Sequence, residues 1–450
     1  MPYGGFEKNM EIVKSKHSIM RFKHFFLAAI LVLFLTDTAL AADTSKIDTG
    51  DTAWVLASTA LVMLMIPAVG LFYGGMVRKK NALSTLMFSF AILALISLQW
   101  ALFGYSLAFG PDVGGFIGNL NWIGLTGVGL APNADYAATI PALAFMMFQA
   151  MFAVITVVLI SGAFVERIKF SSFLIFSLLW ATLVYDPVAH WVWGTGGWLH
   201  NMGTLDFAGG IVVHVSAGVS AVAIALVIGA RKGFGKHTME PHSIPLTVIG
   251  AMLLWFGWFG FNGGSAVSSG ALATNAFVVT NMGGAAAALA WMILSWYHKR
   301  PSVLGTVTGG VVGLAAVTPA SGFVTPMAAI AIGAVAAVIS YYAMLFRMKR
   351  NVDESLDVWA CHGIGGAWGA IATGLFATTL VNPAGANGLL YGGSSLLTTQ
   401  IIAVAVTWVY AFVVTYVLAK VIDATMGLRV RDEEEDVGLD ISQHAERAYA

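Results

Sequence analysis

Charge is what this sequence has least of. Only 10% of its 450 residues are charged, and 23 Lys and Arg balance 23 Asp and Glu. A chain this poor in charge, 58% hydrophobic with a mean hydropathy of +0.80, is excluded from the ordinary soluble globules. Neutrality, with the charges held in short patches, also leaves no broad basic face for nucleic acid. Cysteine is nearly absent. Cys361 stands alone, which excludes an internal disulfide framework and a cysteine-based metal cluster, and no cofactor or metal is expected. Nor does Cys361 next to His362 make a nucleophile–base pair, because neighbours on a helix point about 100° apart, so an enzyme is not expected.

What the chain does have is apolar length. From Thr52 onward there are eleven apolar segments, roughly 53–75, 83–109, 138–164, 171–191, 207–229, 245–264, 271–296, 303–318, 323–347, 357–380 and 395–421. They predict an all-α polytopic membrane protein with eleven transmembrane helices. Basic residues occupy alternate connections, in MVRKKN, VERIKF, RKGFGK, YHKRP and FRMKR, and return in the tail at Arg429 and Arg431. By the positive-inside rule this puts the N-terminus outside and the C-terminus inside.

An odd span count agrees with removal of the leader. Arg21 and Lys23, the apolar run Phe25 to Leu35 and the A-x-A site at Ala39-Leu40-Ala41 predict a cleavable signal peptide within residues 1–41; Met20 offers a second start. The remaining organisation is a transmembrane domain over 42–426 and a cytoplasmic tail over 427–450. Many of the 50 glycines lie inside apolar spans, where small residues let helices pack closely.

Ionisable side chains at membrane depth are costly and mark pathways. His214 in DFAGGIVVHVSAG and His362 in DVWACHGIGGAWG lie in the fifth and tenth segments. Each is in the first half of its span, and the two spans run in opposite directions. That placement predicts a five-plus-five inverted repeat with one extra helix. FYGGMV and FNGGSAV echo each other weakly. The symmetry is imperfect, because Asp206 precedes His214 by eight residues and Asp357 precedes His362 by five. Both aspartates open their helices and are expected to act as N-caps, Asp357 chiefly so, while Asp206 would also favour a cation at a pathway mouth. In LLWFGWFGFNGGSAV, aromatic rings that attract a cation meet Ser265, a hydrogen-bond acceptor.

FQAMFAVITVVLISGAFVERIKF, HWVWGTGGWL, LDFAGGIVVHVSAG, WFGWFGFNGGSAV, DVWACHGIGG and GLRVRDEEEDVGLDISQHAERAY together resemble the ammonium transporter family (Amt/MEP/Rh), in its bacterial Amt branch, from about residue 50 to the C-terminus. The resemblance implies an ammonium channel of the bacterial cytoplasmic membrane. Phe152, Trp193 and Ser265 would recruit ammonium, and Phe152 and Phe261 would stack as a gate. Phe148 and Trp258 would line the wall, His214 and His362 would face each other in the pore, and Asp206 would support the recruitment site. Tyr185 would lie near the outer vestibule. The resemblance further implies a homotrimer in the lipid bilayer and a tail that docks a PII-type regulatory protein. An ammonium sensor acting through such a partner is the alternative.

Overall fold

The structure, a computed structural model, describes residues 47–449. The expected signal peptide lies outside them. Among the described residues nine helices are long and apolar enough to cross a membrane. In chain order they are α1 Thr49–Met76, α2 Lys79–Phe109, α3 Ala142–Ala163, α4 Phe170–Asn201, α5 Gly210–Ile228, α6 Ile244–Gly264, α7 Ala271–His298, α9 Pro326–Lys349 and α11 Ser395–Met426. Between them fall two shorter helices: α8, Val303–Val317, and α10, which starts as Trp359–Ile364 and continues as Gly365–Phe376. Each apolar segment of the sequence therefore corresponds to a helix, but α8 is short for a span and α10 is not among the nine that are long and apolar enough.

Local chemistry sets where these helices begin. The side chains of Asp48, Ser243, Ser302 and Thr325 each accept a hydrogen bond from a first-turn amide. Such caps stabilise a helix end by about 1 kcal/mol. Proline at the first turn of α6 and α9 fits there because that N–H would go unpaired anyway. Close packing follows from glycine: a Cβ on Gly250 of α6 would strike the backbone of Phe72 in α1, and one on Gly333 of α9 would strike Gly283 of α7.

Opposite ends of the bundle differ in chemistry. At one end, the connection between α2 and α3 forms two small antiparallel hairpins, Asp112–Val113 with Ile117–Gly118 and Pro132–Asn133 with Ala137–Pro141. At the other, the basic connections and the tail converge. Glu166 accepts from Arg78 (3.0 Å) and Arg231 (3.0 Å), and Arg231 also reaches Asp353 (2.8 Å). Arg167 donates to the Asp353 carbonyl at 2.6 Å and to Ser355 at 2.7 Å. Burial raises the Glu166 and Asp353 carboxyls, but the arginines win and hold both below the usual carboxylate range.

The tail closes this end with two short helices, α12 Asp432–Val437 and α13 Leu439–His444. Glu435 pairs with Arg429 at 2.6 Å and accepts from the Lys232 amide at 2.6 Å, while Lys232 pairs with Asp436. Asp440 accepts from the amides of Leu83 and Ser84 at the start of α2. The tail is thus ordered against the first and fifth-to-sixth connections rather than solvated along its length.

Candidate functional site

Buried aromatic rings and two histidines form one continuous line through the bundle. Phe152 of α3 stacks on Phe261 of α6 with centroids 4.2 Å apart and planes 24° from parallel. Phe148 meets Phe152 edge-on at 4.9 Å, and Trp193 does so at 6.1 Å from the other side. Phe148, Phe152 and Phe261 are fully buried, whereas Trp193 and Ser265 are half-exposed. Ser265 donates its hydroxyl to the Phe261 carbonyl at 2.8 Å, so both oxygen lone pairs stay open to a donor outside.

Below the phenyl pair, His214 lies 6.0 Å from Phe261, 5.5 Å from Trp258 and 5.1 Å from His362. The two imidazoles stack with planes 26° apart. Neither nitrogen of His214 nor Nδ1 of His362 has a hydrogen-bond partner among the described residues. Trp258 is held by its indole N–H, which donates to Thr318 at 2.9 Å. The histidines, Trp258 and Phe261 line a cavity of about 20 Å³ with Val69, Phe72, Tyr73 and Leu159. That is room for one water-sized particle.

The backbone that carries the histidines is unusual in the same way twice. Both lie in π turns, Gly210–Val215 and Trp359–Ile364. Such turns widen a helix locally and recur at functional sites. Asp206 receives the amides of Gly209, Gly210, Ile211 and Val212 at 2.6–3.1 Å. Burial pushes its carboxyl up and those four amides pull it down. Its own carbonyl accepts the indole N–H of Trp193 at 2.8 Å. Asp206 therefore fixes both the histidine helix and Trp193, and its carboxylate oxygens are engaged by backbone amides.

Asp357 does not cap α10, contrary to the sequence expectation. It has positive φ, and its carboxylate pairs with Arg347 at 2.7 Å. The cap is Glu354, which accepts from the amides of Val358 (3.1 Å) and Trp359 (3.3 Å). Glu354 precedes His362 by eight residues, the spacing of Asp206 and His214, so the mismatch of eight against five arose from taking the wrong acid. Sequence reasoning missed Glu354 because it sits among Asp353 and Asp357 with nothing to single it out; the eight-residue offset was the available signal.

Two further expected residues make other contacts. Tyr185 is fully buried in a π turn of α4, edge-on to Trp100 at 6.0 Å. Asp357 lines a second cavity at the tail end with Phe72, Met76, Trp291 and Tyr341, and Phe72 borders both cavities. Unforeseen were Thr318 behind Trp258 and the Glu166–Arg231–Asp353 cluster.

Comparison with known proteins places this geometry. Residues 53–449 match the model of the Ammonium Transporter Family. The chain is 55% identical over 400 residues to the ammonium transporter Amt1 of Archaeoglobus fulgidus, covering 89% of this chain and 99% of that one. It is 51% identical over 402 residues to the ammonium transporter of Bacillus subtilis, covering 89% and 98%. Among solved structures, Mep2 of Saccharomyces cerevisiae superposes with a TM-score of 0.83 at 33% identity, covering 88% of this chain and 91% of that one. A structure titled as a sensor Amt protein matches with a TM-score of 0.80 at 27% identity, covering 88% and 98%. The relatives named are ammonium transporters and not enzymes. A match of this length, carried by a histidine-lined path through a bundle of apolar helices, means that this chain belongs to the Ammonium Transporter Family.

Proposed function

We propose that the chain carries ammonium across the bacterial cytoplasmic membrane by giving up its proton below the phenyl gate to the histidine pair, which relays it inward while ammonia moves along the same path, so that one charge crosses with each ammonium. One observation carries this reading above the others: the stacked rings of Phe152 and Phe261 stand over two imidazoles, three of whose four nitrogens have no hydrogen-bond partner among the described residues. Trp193, Phe152 and Ser265 hold the incoming cation by ring faces and a hydroxyl oxygen. Beyond the gate an ion pays a desolvation cost that a neutral molecule avoids, so the lumen favours ammonia. His214 and His362 replace the hydrogen bonds that ammonia loses on leaving water. Potassium has no proton to lose, and among the described residues the cavity is lined by apolar side chains and imidazoles with no ring of carbonyls to replace its water.

Around this path we place eleven spans with the N-terminus outside, a removed leader over 1–41, and the tail over 427–450 in the cytoplasm. The basic connections gathered at the tail end support that orientation, and the matched eight-residue acid-to-histidine offsets support the five-plus-five inverted repeat. A homotrimer and a PII-type protein at the tail complete the proposal. The likeness to the sensor Amt structure favours a second reading, in which ammonium is sensed through that partner.

The test is ammonium-evoked current across proteoliposomes of the purified chain. Wild type should pass current with ammonium and none with potassium, and His214→Ala with His362→Ala should lose that discrimination while remaining folded. Equal discrimination in the double variant would reduce the pair to packing. Ammonium binding without any current would favour the sensor.

A further inference from the structure

Between the first connection and the tail lies a cavity of about 200 Å³ that the transport path does not use. Lys79 and Lys80 line it from the start of α2, and Asp440, Arg447 and Tyr449 from the tail. Three cationic side chains face one carboxylate, and that carboxylate is already engaged: Asp440 accepts from the Leu83 amide at 3.1 Å and the Ser84 amide at 2.8 Å. Lys80 spends two of its donors on the carbonyls of Glu435 and Asp436, each at 2.7 Å, and keeps one. Neither Lys79 nor Arg447 pairs with a carboxylate among the described residues. Lys79 instead lies over the Tyr449 ring at 5.2 Å, and the Tyr449 hydroxyl meets His242 at 3.0 Å. A rim of aromatic ring and tail backbone therefore partly encloses an excess of positive charge.

We infer that this cavity is a binding site for a phosphate-bearing anion, which clasps the tail to the first connection. An arginine fork with two ammonium groups suits a multiply charged tetrahedral anion better than a single carboxylate, which one of these cations would satisfy. Such an anion reaches the site either free in solution or as a phospholipid headgroup, since Lys79 and Lys80 are the first residues of a membrane helix. The ligand would bridge residues far apart in the chain, so its binding should order the tail.

The experiment uses the full chain in nanodiscs. Inorganic phosphate is titrated by calorimetry into discs of phosphatidylcholine, and separately the protein is placed in discs containing phosphatidylglycerol. Hydrogen exchange over residues 439–449 is followed in both. Slower exchange with phosphate identifies a free anion, and slower exchange only with phosphatidylglycerol identifies the headgroup. Lys79→Gln and Arg447→Gln should each weaken the effective binding about tenfold, the loss expected for one charge-assisted hydrogen bond. Both side chains are exposed, so the variants should fold as wild type does. Unchanged exchange with both probes, or equal binding by wild type and both variants, overturns the inference.

Discussion

In the proposed mechanism Trp193 and Ser265 act at the mouth of the path, and their surroundings lead us to expect that they can be replaced without collapse. Both are half-exposed, and each is held by one hydrogen bond to backbone, Trp193 to Asp206 and Ser265 to Phe261. Exposed cation–π contacts are worth about 0.5–1 kcal/mol, a several-fold effect in affinity. Trp193→Leu and Ser265→Ala should therefore raise the ammonium concentration for half-maximal current several-fold and leave the maximal current nearly unchanged. Unchanged half-saturation in both would move the recruitment site elsewhere. At this scale legibility depended on contrast. His214 and His362 stood out because an imidazole in an apolar run is conspicuous, whereas Glu354, in the acidic stretch VDESLD, did not. Thr318 was invisible for the same reason: one hydroxyl in an apolar helix end looks like many others until Trp258 is seen to donate to it.

The distance between the imidazoles is set by helices rather than by the histidines. α5 and α10 cross where glycine meets glycine: a Cβ on Gly218 would strike the N and Cα of Gly363, and one on Gly366 would come within 2.8 Å of the His214 Cβ. These obstacles are largely backbone, which cannot swing aside as a flexible side chain does. Gly218→Ala should push the two helices apart and lower the maximal ammonium current about tenfold or more, since misplacing a positioned group by about 1 Å can cost a hundredfold. The variant should still elute as a folded protein, and wild-type current from it would show that the crossing does not set the pair. Element by element, the apolar segments were legible because hydropathy marks a membrane helix over about twenty residues. The hairpins between α2 and α3 were not, because strands such as Asp112–Val113 and Ile117–Gly118 are two residues long and show no periodicity. The π turns were equally hidden, being a change of hydrogen-bond partner and not of composition.

Across the whole molecule, ionisable groups collect at the tail end and make its stability depend on pH. Burial pushes the Glu354 carboxyl up to about 7, with Arg347 opposing the shift and Asp357 adding to it. Between about 4.5 and 7 the folded chain then holds a proton that the unfolded chain has released, so stability falls as pH rises through that window. Thermal unfolding in detergent should show this slope, at most about 3 kcal/mol across it. Glu354→Gln should flatten it, and an identical slope in the variant would assign it to other groups. Glu166 and Asp353 act in the opposite sense, and because both are held low their contribution is lost only at more acid pH. The shut phenyl pair has a further consequence for how quickly the molecule can work. The obstruction among the described residues is two stacked rings above a cavity for one small particle. Opening then requires side-chain rotation, a motion of picoseconds to nanoseconds in loose surroundings and slower in packed ones, rather than the microsecond-to-millisecond rocking of one half against another. On the proposed mechanism, solute would pass in single file without resetting the protein between passages, and turnover would be timed by dehydration at the mouth and not by a conformational cycle.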